Sequence, residues 1–231
     1  MKKACFNWST GKDSALALYK ILQDKNYDVG SLVTTVNKKF HRVSMHGIHE
    51  KLLEDQTKSI GLPLHKIYFT EEISMAEYGA VMKKSLTELV EDKYQYAVFG
   101  DIFLEDLKKY REEKLGALGL KAVFPLWKKD TKELIQEFFS LGFKAIVVSV
   151  NASVLDESFV GRILDENFIN DLPSGVDVCG ENGEFHTFVY DGPIFTYPIK
   201  FTIGEKVLKT YKSDTANSWD TSFWYCDLLT N

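Results

Sequence analysis

The sequence predicts an α/β protein with a doubly wound, mainly parallel sheet and a smaller α+β region at its C-terminal end. Three observations carry this. Through about residue 150, short apolar runs alternate with amphipathic stretches of helical spacing, the pattern of strand–helix repeats. The unbroken apolar run at 145–150 fits a strand covered on both faces, as in a parallel sheet. After that run the alternation gives way to turn-rich segments and closely spaced strands.

The elements follow in order. Residues 4–8 read as a strand and 13–24 as a helix with Ala15, Leu18, Tyr19 and Leu22 on one face. Residues 32–36 form a second strand, and 49–60 a helix stopped by Gly61 and Pro63. Residues 64–69 are a strand, 75–92 a long helix, 96–99 a strand, 105–118 a helix and 122–124 a strand. Residues 131–141 are helical, with Leu134, Ile135, Phe138 and Phe139 spaced as a core stripe. Residues 153–170 look helical and acidic. Strands follow at 187–190, 199–203, 206–211 and 221–228, two of them joined across Gly204–Glu205 as a hairpin. The expected division is 1–128 and 129–231.

Composition narrows the function. Lys and Arg total 28 against 33 Asp and Glu, a net charge of −5, which argues against a duplex nucleic-acid binder. Arg occurs only at positions 42, 111 and 162, and Arg is the residue with a planar fork for phosphate or carboxylate. Cys5, Cys179 and Cys226 are odd in number, widely spaced and form no zinc pattern. No apolar stretch approaches the roughly 20 residues of a membrane span. The expected setting is cytoplasmic and reduced, away from membranes.

The chemistry starts at Ser9-Thr10-Gly11-Lys12-Asp13-Ser14, between the first strand and the first helix. A tight loop there points successive N–H groups into one concavity at the positive helix end. Ser9 and Ser14 add hydroxyls and Lys12 adds charge. The loop is not a Walker A motif: that would place Gly at Phe6 and Ser or Thr at Asp13.

WSTGKDSALAL resembles the pyrophosphate loop, SGGxDS, of the N-type ATP pyrophosphatases (the PP-loop superfamily), with Thr10 in place of the first Gly. HRVSMHGIHEKLLEDQTKSIGLPL, FGDIFLEDLKKYRE and GVDVCGENGEFHTFVYDGPIF resemble successive blocks of its diphthine–ammonia ligase branch. The resemblance spans nearly the whole chain. It implies a HUP-type nucleotide-binding fold, ATP with Mg²⁺, and a C-terminal domain that binds the acceptor.

Other residues are read beside this resemblance. His46 and Gly47 are expected in a loop near the nucleotide rather than in a metal site, since the spacing is not HExxH. Arg42 either reaches phosphate or is a solvated surface charge. Gly100 and Asp101 follow a strand end, where open α/β sheets bind ligands. Asp101 holds Mg²⁺ against phosphates in one reading and caps a turn in the other. Arg111, on the next helix, is a candidate to reach substrate. Glu181, Asn182, Gly183, Glu184 and His186 form either the substrate loop or a plain hairpin tip. A quaternary ammonium acceptor suits the carboxylates of Glu181 and Glu184 and the rings of Phe185 and Trp8. His186 is a candidate for moving protons and Cys179 a buried thiol.

The expected activity is an ATP-dependent ligase. A substrate carboxylate is adenylated with loss of pyrophosphate, and free ammonia then displaces AMP. Lys12, Asp13, Asp101 and Glu184 are the catalytic candidates. The partners are ATP, ammonia and a carboxylate acceptor, diphthine on an elongation factor where the organism makes it. Two alternatives stand: an adenine-nucleotide sensor without turnover, and a ligase for another small carboxylate. A sulfur-transfer role lacks paired cysteines and a basic surface. The aromatic segment SFWYCDLL is a candidate subunit contact.

Overall fold

The computed structural model describes residues 1–44, 46–70, 75–211 and 221–230. The elements run β1 (Lys2–Asn7), α1 (Lys12–Gln23), β2 (Tyr27–Asn37), β3 (Arg42–Val43), α2 (Glu50–Ile60), β4 (Leu64–Phe69), α3 (Met75–Glu91), β5 (Tyr96–Val98), α4 (Glu105–Gly116), β6 (Lys121–Val123), α5 (Thr131–Ser140), β7 (Lys144–Asn151), α6 (Glu166–Asp171), β8 (Phe185–Asp191), β9 (Phe201–Tyr211) and β10 (Thr221–Thr230).

The first sheet is parallel apart from β3. β1 pairs with β2 and β5, β5 with β6, and β2 with β4. Leu32 and Val33 pair with both β1 and β4, so these two strands flank β2. The parallel order is therefore β4-β2-β1-β5-β6, and β3 adds two antiparallel pairs at the end of β2. The chain winds outward from β1 through β2 to β4, then returns to β5 on the other side of β1. That reversal opens a crevice at the carboxyl ends of β1 and β5, where α/β sheets bind ligands.

The pleat sorts side chains to two cores. Ala4 and Phe6 pack with Leu18 of α1 and Leu52 and Leu53 of α2. Cys5, Val33 and Ala97 pack with Leu86 and Leu89 of α3 and Leu115 of α4. Helices thus cover both faces, as a doubly wound sheet requires. Among the described residues, no helix is long and apolar enough to cross a membrane.

The second sheet has the order β8-β7-β10-β9, with every neighbouring pair antiparallel. This corrects the expectation of a parallel strand at 145–150. That run is buried throughout, as its composition requires, but it lies in the antiparallel sheet. An unbroken apolar run reports cover on both faces, not strand direction. The first core continues into this sheet through Ile146, Val147, Phe185 and Phe188.

Two further expectations change. Only Glu166–Asp171 of 153–170 is α-helical, started by Asp165, whose side chain accepts from Phe168 N. The residues before it run beside β7 instead. Val147 N–H donates to Arg162 O, Gly161 N–H to Val147 O, and Leu164 N–H to Ala145 O. The expected hairpin at Gly204–Glu205 is a bulge within one continuous strand, β9. The register jumps there: Lys206 faces Cys226 and Ile203 faces Leu228, so two residues oppose Asp227. Gly204 fits because a Cβ would stand 3.3 Å from the Asp227 Cβ and O.

Candidate functional site

A cavity of about 790 Å³ opens where the crevice of the first sheet meets the second. This lies within the ~300–1,000 Å³ of small-molecule sites. One wall is the loop after β1, through Ser9, Lys12, Asp13 and Ser14. The opposite wall is the turn before β8, through Glu181, Asn182 and Gly183, with His186 at the start of β8. Gly100, Asp101 and Arg111 form a third side.

The loop is built by the second sheet as much as by the first. Lys12 N–H donates to Thr187 Oγ1 at 3.0 Å, and Val189 N–H donates to Thr10 O at 2.9 Å. Gln56, fully buried on α2, closes the arrangement. Its Nε2 donates to Thr10 O and Val189 O, and its Oε1 accepts from Trp8 Nε1 at 2.9 Å. Neither Gln56 nor Thr187 was among the expected site residues. A signal existed for Gln56: it is a polar residue in the apolar stripe Leu52, Leu53, Ile60. Replacing it with Met should destabilise the protein by about 3 kcal/mol, because buried partners lose their bonds. Chemical denaturation measures this.

Thr10 holds φ at +76°, a region costly for a β-branched residue. Its buried Oγ1 has no hydrogen-bond partner. Strain and desolvation therefore meet at the position where the pyrophosphate loop has Gly. Thr10→Gly should raise stability by about 1–2 kcal/mol, read as a higher melting temperature. Gly11 is required for a different reason: a Cβ there would meet His46 Cε1 at 2.7 Å. Gly100 is also closely packed: a Cβ there would stand 3.0 Å from Ser14 N and the Asp13 carbonyl carbon.

Lys12 is 4% exposed, and its Nζ lies 2.7 Å from Asp13 Oδ2 and 5.5 Å above the Phe185 ring. Burial opposes its charge, but Asp13, with Cys179 and Glu181, raises it above the ordinary lysine value. Glu181 is pushed up to about 7, by burial first and then by the charges of Asp13, Asp101 and Asp177, with Lys12 opposing. His46 and His186 stack with centroids 4.9 Å apart. Burial lowers His46 to about 3, helped by His186, and lowers His186 to about 4, helped by Lys12. Both rings are neutral near pH 7. His46 Nδ1 lies 3.2 Å from Thr187 O, which fixes the proton on Nδ1.

The structure brings together Ser9, Lys12, Asp13, Ser14, His46, Gly100, Asp101, Glu181, Asn182, Gly183 and His186 on one cavity. Four expected residues stand off it. Thr10, Gly11 and Gly47 support the wall rather than line it. Glu184, expected as catalytic, is also displaced. Its carboxylate accepts from Asp177 N, Asn182 N and Asn182 Nδ2. Burial works against its charge, but these bonds hold it below the ordinary value. Glu184 therefore knits the turn. Arg42 follows neither expected reading: it forks onto Asp227 and donates to Gly47 O, tying β3 to β10. Arg111 engages Asp101 at 2.8 Å and lies 4.2 Å from the Phe99 ring centroid. Cys179 is buried, and burial raises its thiol.

These residues fit a nucleotide phosphate and its cation. Gly11 begins α1 with no side-chain cap, leaving the positive helix end for an anion. Among the described residues no group of three or more His, Cys, Asp or Glu could hold a metal unaided. Mg²⁺ needs only one or two carboxylates beside phosphate oxygens and water. The crowding that raises Glu181 is a negative excess that such a cation would relieve.

Two family models match the chain: the diphthamide synthase N-terminal domain over residues 1–122 and the diphthamide synthase C-terminal domain over 130–228. Curated relatives agree. A Bos taurus diphthine–ammonia ligase is 33% identical over 174 residues, 68% of this chain and 64% of its own. The Danio rerio one is 29% identical over 166 residues, 65% of each. The Saccharomyces cerevisiae one is 26% identical over 226 residues, 82% of this chain and 33% of its own. The chain thus spans less than two thirds of each of these relatives. A solved structure, the U34-tRNA thiolase NcsA from Methanococcus maripaludis, aligns at 19% identity and TM-score 0.37, covering 61% of this chain and 57% of that one. With both domain models matched in sequence order, the chain belongs to the diphthamide synthase family.

Proposed function

We propose that the protein is an ATP-dependent ligase that joins ammonia to a substrate carboxylate. The observation that carries this is one cavity shared by the loop after β1 and the turn before β8, in a chain of this family. Residues 1–128 would bind ATP and 129–231 would present the acceptor. The relatives' name, diphthine–ammonia ligase, supports diphthine as that acceptor.

An acceptor carboxylate oxygen attacks the α-phosphorus. The bond to the bridging oxygen breaks and pyrophosphate leaves. Lys12 Nζ and the N–H groups of α1 that follow the Lys12 N–H, itself held by Thr187 Oγ1, stabilise charge growing on the phosphates. Asp101, which Arg111 also engages, would be the carboxylate that holds Mg²⁺, and the cation would supply charge neutralisation at the phosphates. Ammonia then attacks the acyl carbon, the nitrogen loses a proton, and AMP leaves with the former carboxylate oxygen. No side-chain nucleophile is needed; positioning supplies much of the effect. The buried, protonated Cys179 suits this better than thiolate chemistry.

Glu181, on the cavity wall and pushed up to about 7 by burial and neighbouring carboxylates, is one candidate proton acceptor. His186, lowered to about 4, is the weaker base. The trimethylammonium group of diphthine would meet the Glu181 carboxylate and the Phe185 ring of the same wall.

The titrations predict a pH signature in the ligand-free protein. Glu181 binds its proton more tightly folded than at its ordinary 4.5, so its contribution to stability falls as pH rises from 4.5 to about 7. His46 and His186 bind theirs more weakly than at the ordinary 6.5, so their contributions rise from about 3 and about 4, respectively, up to 6.5. The effects oppose each other. Glu181→Gln should therefore make stability rise more steeply between pH 4.5 and 6.5 than in wild type. Parallel melting curves for the two proteins would remove this assignment.

The activity test is pyrophosphate release with ATP, Mg²⁺, ammonia and candidate carboxylates including diphthine. Release that requires the carboxylate supports the ligase. Tight ATP binding without cleavage of the α–β bond across the panel supports the sensor.

A further inference from the structure

We propose that β9 is the seam of a homodimer, pairing antiparallel with β9 of a second copy about a two-fold axis at Val207. The strand is 11 residues long and stands at the end of its sheet, paired only with β10 among the described residues. It has little cover on either face: Ile203, Val207, Leu208 and Tyr211 are between 42 and 52% exposed. A long edge strand with exposed apolar side chains is a pairing template unless something blocks it.

The occupant is read from charge. Side chains directly opposed across antiparallel strands share a face, so a self-pairing strand has its axis at a residue. The bulge places Glu205 on the face of Asp227. Val207, Lys209 and Tyr211 continue that face opposite Tyr225, Phe223 and Thr221. Axes from Lys206 to Thr210 fall on the regular part of the strand; one at Lys209 sets that lysine against its own copy, and one at Thr210 puts Lys209 opposite Tyr211. An axis at Lys206 sets this lysine against its own copy. An axis at Leu208 puts Val207 opposite Lys209 and Glu205 opposite Tyr211. An axis at Val207 sets Val207 on Val207 and Glu205 opposite Lys209, twice by symmetry. Only this register pairs Glu205 with Lys209, leaving Lys206 opposite Leu208, and opposite charges stabilise cross-strand pairs while like charges oppose them.

Lysines and bulges also serve to blunt edges. Here the bulge sits at Gly204–Glu205, leaving 206–211 regular. The Lys209 charge has its complement four residues away on the same face. The edge is therefore selective rather than closed: it discourages unmatched strands and accepts its own copy. Joining two such sheets would make a continuous eight-stranded antiparallel sheet. Phe223 and Tyr225, next to β9, lie on the face that carries the seam charges, and Phe223 lines the cavity.

Sedimentation velocity of the full chain tests this, with circular dichroism to confirm folding of each variant. Wild type should be dimeric at micromolar concentration. Glu205→Lys or Lys209→Glu alone should weaken the dimer at least about tenfold, since each sets like charges opposite twice. The double swap Glu205→Lys/Lys209→Glu should restore it. A wild type that stays monomeric up to ~100 µM overturns the proposal. So does a dimer indifferent to the single reversals, or one the double swap does not recover. All these residues lie outside the cavity wall, so pyrophosphate release by the monomeric variants separates this result from the proposed activity.

Discussion

Lys12→Met is expected to slow ATP cleavage by about 10²–10³-fold, the usual cost of losing one preorganised group at developing charge. The buried ammonium lies where α1 begins and is held charged by Asp13. Its removal acts twice, since it also leaves a buried carboxylate without its partner, at about 3–5 kcal/mol of stability. Lys12→Met/Asp13→Asn separates the effects. The double variant should regain most of the stability and none of the activity. Calorimetry and a pyrophosphate assay on the same preparations read both. Full activity in the stable double variant would take Lys12 out of the mechanism.

The second large effect is structural. Gly180→Ala should cost about 2–5 kcal/mol and abolish acceptor-dependent turnover. Gly180 sits at φ +68°, and a Cβ would meet the Phe185 carbonyl oxygen at 2.9 Å and its ring at 2.9–3.0 Å. Phe185 cannot yield: it is 2% exposed, begins β8 and carries Lys12 above its ring. Gly183 in the same turn is the control. Its φ is +83° but nothing stands within 4 Å of an added Cβ. Gly183→Asn should therefore cost less than about 1 kcal/mol, since Asn tolerates this conformation. Equal losses at the two positions, read from denaturation curves, would show that backbone conformation rather than the close approach decides both.

The sequence was most informative where one physical cause leaves one pattern. Strand–helix alternation located every element of the parallel sheet except the two-residue β3. The loop Ser9–Ser14 and the block around Glu181 were legible because glycines, hydroxyls and charges in that order serve few purposes. What failed had more than one cause. The apolar run at 145–150 records burial on both faces, which an antiparallel strand between two layers also produces. Gly204 reads as a turn or a bulge, and only the partner strand decides. Glu184 and Glu181 are chemically equivalent in a string of letters. The turn aims one at the cavity and the other at its own N–H groups. Arg42 was legible as a rare fork, but its carboxylate is 185 residues away. Gln56 acts through the carbonyls of Thr10 and Val189, contacts that exist only once the two sheets meet.

In the proposed reaction a carboxylate of the acceptor is adenylated before ammonia attacks. Heavy-oxygen label in that carboxylate tests it directly. After turnover with ATP and ammonia, one labelled oxygen is expected in the phosphate of AMP and none in pyrophosphate. ADP and orthophosphate as products, or AMP without label, would contradict it.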